Sequence, residues 1–278
     1  MRCIAEADPA RFLAATASFR AADPVLTNII TTNATARATG EVPLEQGCRW
    51  FHLMDEQGST TGIAMRIPPR GMAVAAMGDD AIAELVRTAI TTGLDLVGCT
   101  GPAASAHRFA TGYAAATSRT YTVAMPQRIL ALRAVRHPGG VSGLARPATR
   151  ADRDLVSRFV RGFYTDTHHV GGSVEDMVDQ RLSVPESIWL WETHGTAVSL
   201  CWQSAGGGVT RISGVYTPPQ HRQHGYAGAN VAAVSAWALD RGATACMLFT
   251  DANNPTSNKI YEQIGYAFVS DAVELRFS

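Results

Sequence analysis

The segment 221–229, with the sequence HRQHGYAGA, carries two glycines, one arginine and two histidines, and it contains no acidic side chain. An alanine-rich run with apolar residues at helical spacing follows it, so the glycines lie at the predicted start of a helix. A helix N-terminus offers unpaired backbone N–H groups and a positive partial charge, and glycine lets a ligand approach the backbone closely. These features predict an anion site suited to pyrophosphate, with a plain turn into a helix as the alternative.

Two common phosphate-binding patterns do not describe this segment. Gly225 is not followed by the Lys-Ser/Thr pair of a P-loop at the required spacing. The G-x-G-x-x-G pattern of dinucleotide-binding folds is also absent from the segment. If the segment binds an anion, it belongs to another class of site.

The elements around this segment define a mixed fold. The strand GVTRISGVYT precedes it, the helix is predicted from Gly225 to about Asp240, and the apolar strand TACMLFT follows. A second helix, PTSNKIYEQIG, has proline in its first turn and glycine at its end. Upstream, two helices and a hairpin with a His194-Gly195 turn complete the order β-α-α-β-β-β-α-β-α-β. The final segment YAFVSDAVELRFS is predicted to supply terminal strands.

The N-terminal half repeats the later part of this order, which predicts an internal duplication of one fold. Two strands, RTYTVAM and RILALRAV, are predicted to close this half. At the equivalent helix start, the first half has only Gly78-Asp79-Asp80. Asp79 and Asp80 suit the helix dipole as capping residues, and they would repel a phosphate. Proline and paired glycine in the segment 136–143 predict a linker, and hence domains at 1–138 and 143–278.

Composition restricts the class of protein. The chain has 278 residues, a formal net charge of zero and 46% hydrophobic residues. Nonspecific electrostatic binding of nucleic acid over a broad surface is therefore not indicated. No apolar run reaches the roughly 18 residues of a membrane helix. The N-terminal sequence is not a signal peptide, and the five scattered cysteines are typical of reduced thiols. We expect a cytoplasmic protein without metal, and a homo-oligomer is compatible with the sequence.

Apolar strands carry the remaining conspicuous side chains. Trp189 and Trp191 are two residues apart and therefore lie on the same face of a strand, and Trp202 lies on the partner strand of the hairpin. We predict that the three tryptophans are core residues rather than the lining of a pocket. Cys201 and Cys246 are predicted to be inert buried thiols.

Two stretches together resemble a known family. VYTPPQHRQHGYAGANVAAV resembles motif A of the GNAT acetyltransferase superfamily, Q/R-x-x-G-x-G/A, through Arg222, Gly225 and Ala227. LFTDANNPTSNKIYEQIGY resembles motif B. The matching motif B residues are Asn254, Ser257, Tyr261, Gly265 and Tyr266. The resemblance covers roughly residues 143–278 and implies tandem GNAT-like domains of α/β (α+β) class, each a mixed, mostly antiparallel sheet flanked by helices, with the first domain degenerate.

The resemblance implies a site for acetyl-CoA, or another acyl-CoA, as co-substrate. Backbone amides of the loop would cradle the pyrophosphate, the preceding strand would pair with the pantetheine arm, and the motif B helix would contact the cofactor. The residues placed at the cofactor are Gly214, Val215, Tyr216, Thr217, Arg222, Gln223, His224, Gly225, Tyr226, Ala227, Gly228, Asn254, Ser257, Asn258 and Tyr261.

The implied chemistry is acyl transfer to an acceptor, usually an amine. The backbone N–H of Tyr216 or a neighbour would stabilise the oxyanion, and Tyr261 would protonate the leaving thiolate. A buried aromatic packing role is the alternative for Tyr261. A longer acyl group, a hydroxyl acceptor, or a non-catalytic acyl-CoA sensor or scaffold are the alternative functions.

The sequence does not identify the general base that an amine acceptor requires. Glu192 on a strand, Asp251 after the MLFT strand, and the loop pair His168-His169 are candidates. A water relay is a further alternative.

Overall fold

The computed structural model describes residues 1–167 and 172–278. The elements of the first half, in chain order, are β1 (Arg2–Glu6), α1 (Pro9–Ala15), α2 (Ala17–Ala22), α3 (Asn28–Ala38), β2 (Arg49–Met54), β3 (Thr60–Arg66), β4 (Met72–Val74), α4 (Asp79–Thr91), β5 (Gly98–Pro102), α5 (Ala103–Thr117) and β6 (Tyr121–Leu132). The elements of the second half are β7 (Leu144–Pro147), α6 (Arg153–Asp166), α7 (Val174–Ser183), β8 (Ile188–Thr193), β9 (Thr196–Gly206), β10 (Val209–Tyr216), α8 (Tyr226–Asp240), β11 (Ala245–Asp251), α9 (Pro255–Ile264) and β12 (Ala267–Phe277).

The chain divides into two compact units that are not contiguous halves. Unit 1 comprises Met1–Leu130, Phe249–Pro255 and Phe268–Ser278, and unit 2 comprises Ala131–Leu248 and Thr256–Ala267. The predicted domains 1–138 and 143–278 follow the chain, whereas the compact units exchange segments near the C-terminus. The boundary at the linker therefore stays a prediction.

Unit 1 is built on a mostly antiparallel sheet. Its strand order is β1-β2-β3-β4-β5-β12-β6, and the one parallel pair recorded in this order is β4 with β5. The final strand of the chain lies here, because Ala272 to Arg276 pair with Pro102 to Gly98. Helices α4 and α5 pack on the sheet through a core that includes Leu85 and Phe109.

The closing strands differ from the prediction. The segments RTYTVAM and RILALRAV form one 12-residue strand, β6, and YAFVSDAVELRFS likewise forms a single strand, β12. Pro126 does not divide β6, because a strand tolerates proline where the backbone nitrogen is not needed as a donor to the neighbouring strand. The Pro126 carbonyl accepts a hydrogen bond from the Ala252 N–H at 2.9 Å.

Unit 2 repeats the plan. Its strands are ordered β11-β10-β9-β8-β7, and β10 runs parallel to β11 while the other pairs are antiparallel. Helix α8 packs on one sheet face, where Trp191, Val198 and Ala229 meet, and α6 and α7 pack on the other. The fold class predicted from the sequence, a mixed and mostly antiparallel sheet flanked by helices, is confirmed.

The hairpin turn predicted at His194-Gly195 is present in unit 2. His194 and Gly195 both have positive φ values, 49° and 72°, as a tight hairpin turn between β8 and β9 requires. Thr149 and Asp152 form a capping box before α6. The three hairpin tryptophans are buried, which confirms the prediction that they are core residues, and Cys201 and Cys246 are buried free thiols.

Among the described residues, no helix is both long and apolar enough to cross a bilayer. Within the same residues, no cluster of three or more His, Cys, Asp or Glu side chains is arranged to hold a metal.

Candidate active site

The loop between β10 and α8 presents an open helix N-terminus. Gly225 is the N-cap of α8, no side chain caps the helix, and its first turn contains no acid. The first backbone bond of the helix runs from the Ala229 N–H to the Gly225 carbonyl at 3.0 Å. The preceding N–H groups of Tyr226, Ala227 and Gly228 therefore lie in the turn whose donors a helix cannot satisfy itself.

The loop backbone alternates in a way that favours anion binding. Gln223 and Gly225 both have positive φ values, 66° and 80°. Left-handed residues interspersed with right-handed ones turn successive N–H groups towards a common point. Glycine is also favoured at position 225, because a Cβ there would lie only 3.0 Å from Cγ2 of Val141 and the positive φ would strain other residues. This backbone fits a pyrophosphate group.

Strand β10 contains a bulge just before the loop. Ser213 pairs with Trp202 and Tyr216 pairs with Leu200, so three steps on β10 match two on β9. Gly214 in the bulge has φ of 57°, and a Cβ on it would lie 2.1 Å from the Trp202 ring. The indole therefore fills the space against the bulge, and only glycine fits there.

Trp202 is held by neighbours on the face of the sheet that α6 and α7 cover. The Phe163 ring meets it edge-on at 5.5 Å between centroids, and the Arg181 guanidinium lies 5.1 Å from its ring centre. These contacts fix the indole against Gly214 and with it the course of the bulge.

The pairing of β10 and β11 covers only their first residues. The described parallel register runs from Val209 opposite Ala245 to Arg211 opposite Met247. On its other edge, β10 remains paired with β9 as far as Tyr216. The second half of β10, which includes the bulge, thus has backbone groups directed away from β9 that are not used in the described parallel register.

Buried hydroxyls hold the end of β10. The Ser199 hydroxyl donates to the Tyr216 carbonyl at 3.0 Å, and the Thr217 hydroxyl donates to Ser199 Oγ at 3.0 Å. The Tyr216 side chain turns towards α6, where a Cβ on Gly162 would lie 2.1 Å from its hydroxyl. Gly162 therefore leaves a notch that receives the Tyr216 phenol. Burial, aided by Asp166, raises the pKa of Tyr216.

Helices α8 and α9 meet closely beside the loop. A Cβ on Gly228 would lie 3.2 Å from Cγ2 of Ile260, so the glycine permits this approach. Tyr261 follows on α9, and its ring meets Tyr266 at 6.0 Å between centroids. Burial raises the pKa of Tyr261 well above its ordinary value, with Cys201 adding to the shift, so the phenol stays protonated.

Arg222 does not point out of the loop as a free cation. Its Nε donates to the Thr217 carbonyl at 2.9 Å, and one terminal nitrogen donates to the Asp166 carboxylate at the end of α6. The guanidinium also lies 5.9 Å from the centre of the Tyr216 ring. The positive charge of Arg222 is therefore largely neutralised by Asp166.

His224 is the exposed side chain closest in sequence to the helix start. Its Nδ1 donates to the Arg222 carbonyl at 2.7 Å, and its ring stacks on Tyr226 with centroids 5.4 Å apart and planes 7° apart. Nε2 is then the ring nitrogen left for other partners.

The candidate general bases differ in their surroundings. Glu192 accepts a 2.6 Å bond from Arg146, which also binds Asp152 and lowers the pKa of that carboxyl to about 2. Asp251 lies in unit 1, where its carboxylate accepts from the Asn253 N–H at 2.8 Å. The pair His168-His169 lies outside the described residues. The Glu192 carboxylate is thus already paired with Arg146. None of these candidates is identified as the general base.

Most of the predicted cofactor residues lie together in unit 2. Gly214 to Thr217 end β10, Arg222 to Gly228 form the loop and first turn of α8, and Ser257, Asn258 and Tyr261 lie on α9. Asn254 groups instead with unit 1, so its predicted role stays a prediction. Sequence reasoning missed Gly162 and Asp166. The one available signal was a glycine inside a strongly patterned helix, which often marks a close packing contact.

Comparison with known proteins identifies a family for part of the chain. Residues 157–266 match the model of the Acetyltransferase (GNAT) family, which uses acetyl-CoA as co-substrate. No curated protein matches the chain at a significant level.

Solved structures extend the likeness to the whole fold. A GCN5-related N-acetyltransferase from Sphaerobacter thermophilus is 16% identical, with a TM-score of 0.61 over 99% of this chain and 96% of the other. A Drosophila protein is 12% identical, with a TM-score of 0.72 over 100% and 98%. A tandem GNAT protein from the clavulanic acid biosynthesis pathway is 10% identical, with a TM-score of 0.55 over 100% and 98%.

At these identities the structural likenesses show the fold, and they include the N-terminal half of the chain. The family match covers the second half, where the open helix start, the bulged strand and Tyr261 lie. Residues 157–266 therefore match the GNAT acetyltransferase family, and the chain as a whole has a fold similar to that of the solved tandem GNAT protein.

Proposed function

We propose that this protein is an acetyl-CoA-dependent N-acetyltransferase whose single active site lies in the second half of the chain, residues 143–278. The observation that carries the proposal is the start of α8, which lacks a capping side chain and first-turn acids and has Gly225 in the left-handed region. The family match supports acetyl transfer, and the amine acceptor is proposed by analogy with the N-acetyltransferase whose fold this chain resembles.

In this proposal the loop residues 223–228 bind the pyrophosphate through backbone N–H groups and the helix dipole. Bound acetyl-CoA supplies a thioester that is already activated, so the protein mainly orients two substrates. The edge of β10 at residues 214–217, which lies beyond the described parallel register with β11, then holds the pantetheine arm as an added strand.

Two groups of the chain act on the reacting atoms. A backbone N–H at the bulge, from Tyr216 or its neighbour, donates to the thioester oxygen as negative charge develops there. Tyr261 donates its phenolic proton to the departing sulfur, and its burial keeps that proton in place before the reaction. The acceptor's proton passes to solvent, and Glu192 is not assigned as its base because Arg146 binds that carboxylate.

The test measures release of free thiol from acetyl-CoA by the intact chain with a panel of small amines, amino acids and peptide N-termini. We expect acceptor-dependent thiol release and a matching acetylated product by mass spectrometry. Hydroxyl acceptors and longer acyl-CoAs in the same panel distinguish the alternative transferases. Tight acetyl-CoA binding without thiol release at any acceptor concentration would identify a sensor instead.

A further inference from the structure

Arg222 matches the first residue of the loop motif, yet its side chain contacts the protein rather than the mouth of the loop. It contacts three parts of unit 2: the Thr217 carbonyl after β10, the Asp166 carboxylate at the end of α6, and the face of the Tyr216 ring. A guanidinium can serve these partners together because its donors form a rigid planar fork with an exposed face.

The location of the pair adds a second contribution. Asp166 is the last residue of α6, so Arg222 also lies near the negative end of the helix dipole. One turn earlier on α6, Gly162 receives the Tyr216 hydroxyl. The last turn of α6 therefore holds the end of β10 at two points, through a notch and through an ion pair.

Exposure determines what this pair can do. The side chains of Arg222 and Asp166 are 45% and 44% exposed, and ion pairs that exposed contribute little to global stability. Their effect is geometric, since they fix the distance between α6 and residues 216–217. Under the proposed function those residues hold the acyl end of the cofactor.

We infer that Asp166 and Arg222 form a positioning pair that sets the end of β10 for catalysis, so that the Arg222 guanidinium serves this contact and not the pyrophosphate. This inference rests on the proposed function for its catalytic consequence. It assigns a role to Asp166, which no motif marks, and it reverses the role expected of Arg222 from its place in the loop.

The two roles for Arg222 predict opposite effects of Asp166→Asn. If Arg222 serves the pyrophosphate, removing its competitor should tighten acetyl-CoA binding. If the pair positions β10, Asp166→Asn should lower kcat about fivefold while the Kd for acetyl-CoA changes less than about twofold. Arg222→Lys should behave in the same way, because an ammonium keeps the charge and loses the fork.

Three further variants complete the experiment. Asp166→Glu keeps a carboxylate within reach and should retain kcat within about twofold. The double variant Asp166→Asn/Arg222→Lys should be no worse than either single variant, because both remove one interaction. Asp179→Asn is the matched control, since Arg153 binds that carboxylate at 2.5 and 2.7 Å and joins α6 to α7 away from the loop.

Hydrogen exchange provides a readout that does not depend on activity. Asp166→Asn should speed exchange at residues 163–167 and 216–217, and Asp179→Asn should not. Tighter acetyl-CoA binding in Asp166→Asn, or unchanged kcat and exchange, would overturn the inference. A wild-type chain that neither binds acetyl-CoA nor releases thiol would overturn the proposed function, and the exchange experiment would still judge the pair.

Discussion

Helices α4 and α8 occupy equivalent places in the two units, and their N-termini are chemically opposite. Each follows a strand that pairs in parallel with the next strand of the chain, and each has glycine at the N-cap. Helix α8 begins without acids at a glycine with φ of 80°. Helix α4 carries Asp79 and Asp80 in its first turn, with Gly78 in ordinary extended geometry at φ of −74°.

The sequence predicted Asp79 and Asp80 as caps, and the structure refines that assignment. The N-cap is Gly78, and neither aspartate caps α4 through a side-chain hydrogen bond. The two carboxylates instead neutralise the positive end of the helix, and Asp79 is bound by Arg108 at 2.9 Å. A phosphate would meet two negative charges at this position.

The strands before the two helices differ as well. Strand β4 pairs with β3 in a regular register, whereas β10 bulges at Gly214. The segment after β4 is closed by Ser105, which accepts from the Met77 N–H at 3.1 Å and donates to the Met77 carbonyl at 3.4 Å. In unit 2 the corresponding segment is the loop that contains Gln223 and Gly225.

Under the proposed function, the same arrangement of strands and helices supports a ligand site in unit 2 and a closed structural contact in unit 1. The difference lies in a few local features. Unit 1 has acidic residues in the first turn of α4, a regular strand β4 and a hydrogen-bonded serine. Unit 2 has no acid in the first turn of α8, a bulge in β10 and an open loop. The following predictions test whether these residues account for the difference.

The largest effect is expected from placing a charge at the start of each helix. Gly225→Asp should weaken acetyl-CoA binding by at least about 100-fold, because it adds a carboxylate, a Cβ close to Val141 and backbone strain at positive φ. Gly78→Asp should leave binding unchanged, since that position is open and extended. Thermal shift with acetyl-CoA measures both, and Gly225→Ala separates strain from charge.

The second effect concerns the tyrosines of the helices that follow. Tyr261→Phe should lower kcat about 100-fold with little change in acetyl-CoA affinity, because it removes the proposed proton donor. In α5, the Tyr113 hydroxyl donates to the Leu94 carbonyl at 2.6 Å and accepts from the Leu96 N–H at 3.2 Å. Tyr113→Phe should therefore cost about 1–3 kcal/mol of stability and leave kcat unchanged. Equal kcat in wild type and Tyr261→Phe would show that Tyr261 is a packing residue and not the proton donor.

The third effect tests the bulge. Gly214→Ala should lower kcat/KM roughly tenfold, because the new methyl group meets the Trp202 ring and φ of 57° is strained for alanine. Adding Trp202→Phe should recover part of the loss by making room. Adding Trp189→Phe, in the same hairpin, should not. Steady-state kinetics on the four proteins measures this, and no recovery with Trp202→Phe would show that the indole does not set the bulge.

The smallest effect on ligand binding is expected from removing the Ser105 hydrogen bonds that hold the segment after β4 in unit 1. Ser105→Ala removes both bonds to Met77 and should cost about 1–3 kcal/mol of stability, measured by denaturation. It should create no second acetyl-CoA site, because Asp79 and Asp80 remain. A second binding event in this variant would mean that closure alone, and not charge, distinguishes the units.

Local signals in the sequence were enough for most helices and strands of the second half, whereas the closing strands of both halves were wrongly predicted as pairs. The glycines at 195 and 225 and the apolar periodicity of the helices depend on neighbouring residues, so they can be read from the sequence. The placement of β12 beside β5 could not be predicted, because strand partners are set by contacts distant in sequence. The inward turn of Arg222 likewise depends on Asp166, 56 residues away.

The central claim is that the chain has one acyl-CoA site, at the start of α8. Calorimetric titration of acetyl-CoA into the intact protein tests it most directly, because it reports affinity and stoichiometry together. The account predicts one molecule bound per chain in wild type and in Gly78→Asp, and no measurable binding in Gly225→Asp. Two molecules per chain, or full binding in Gly225→Asp, would contradict it.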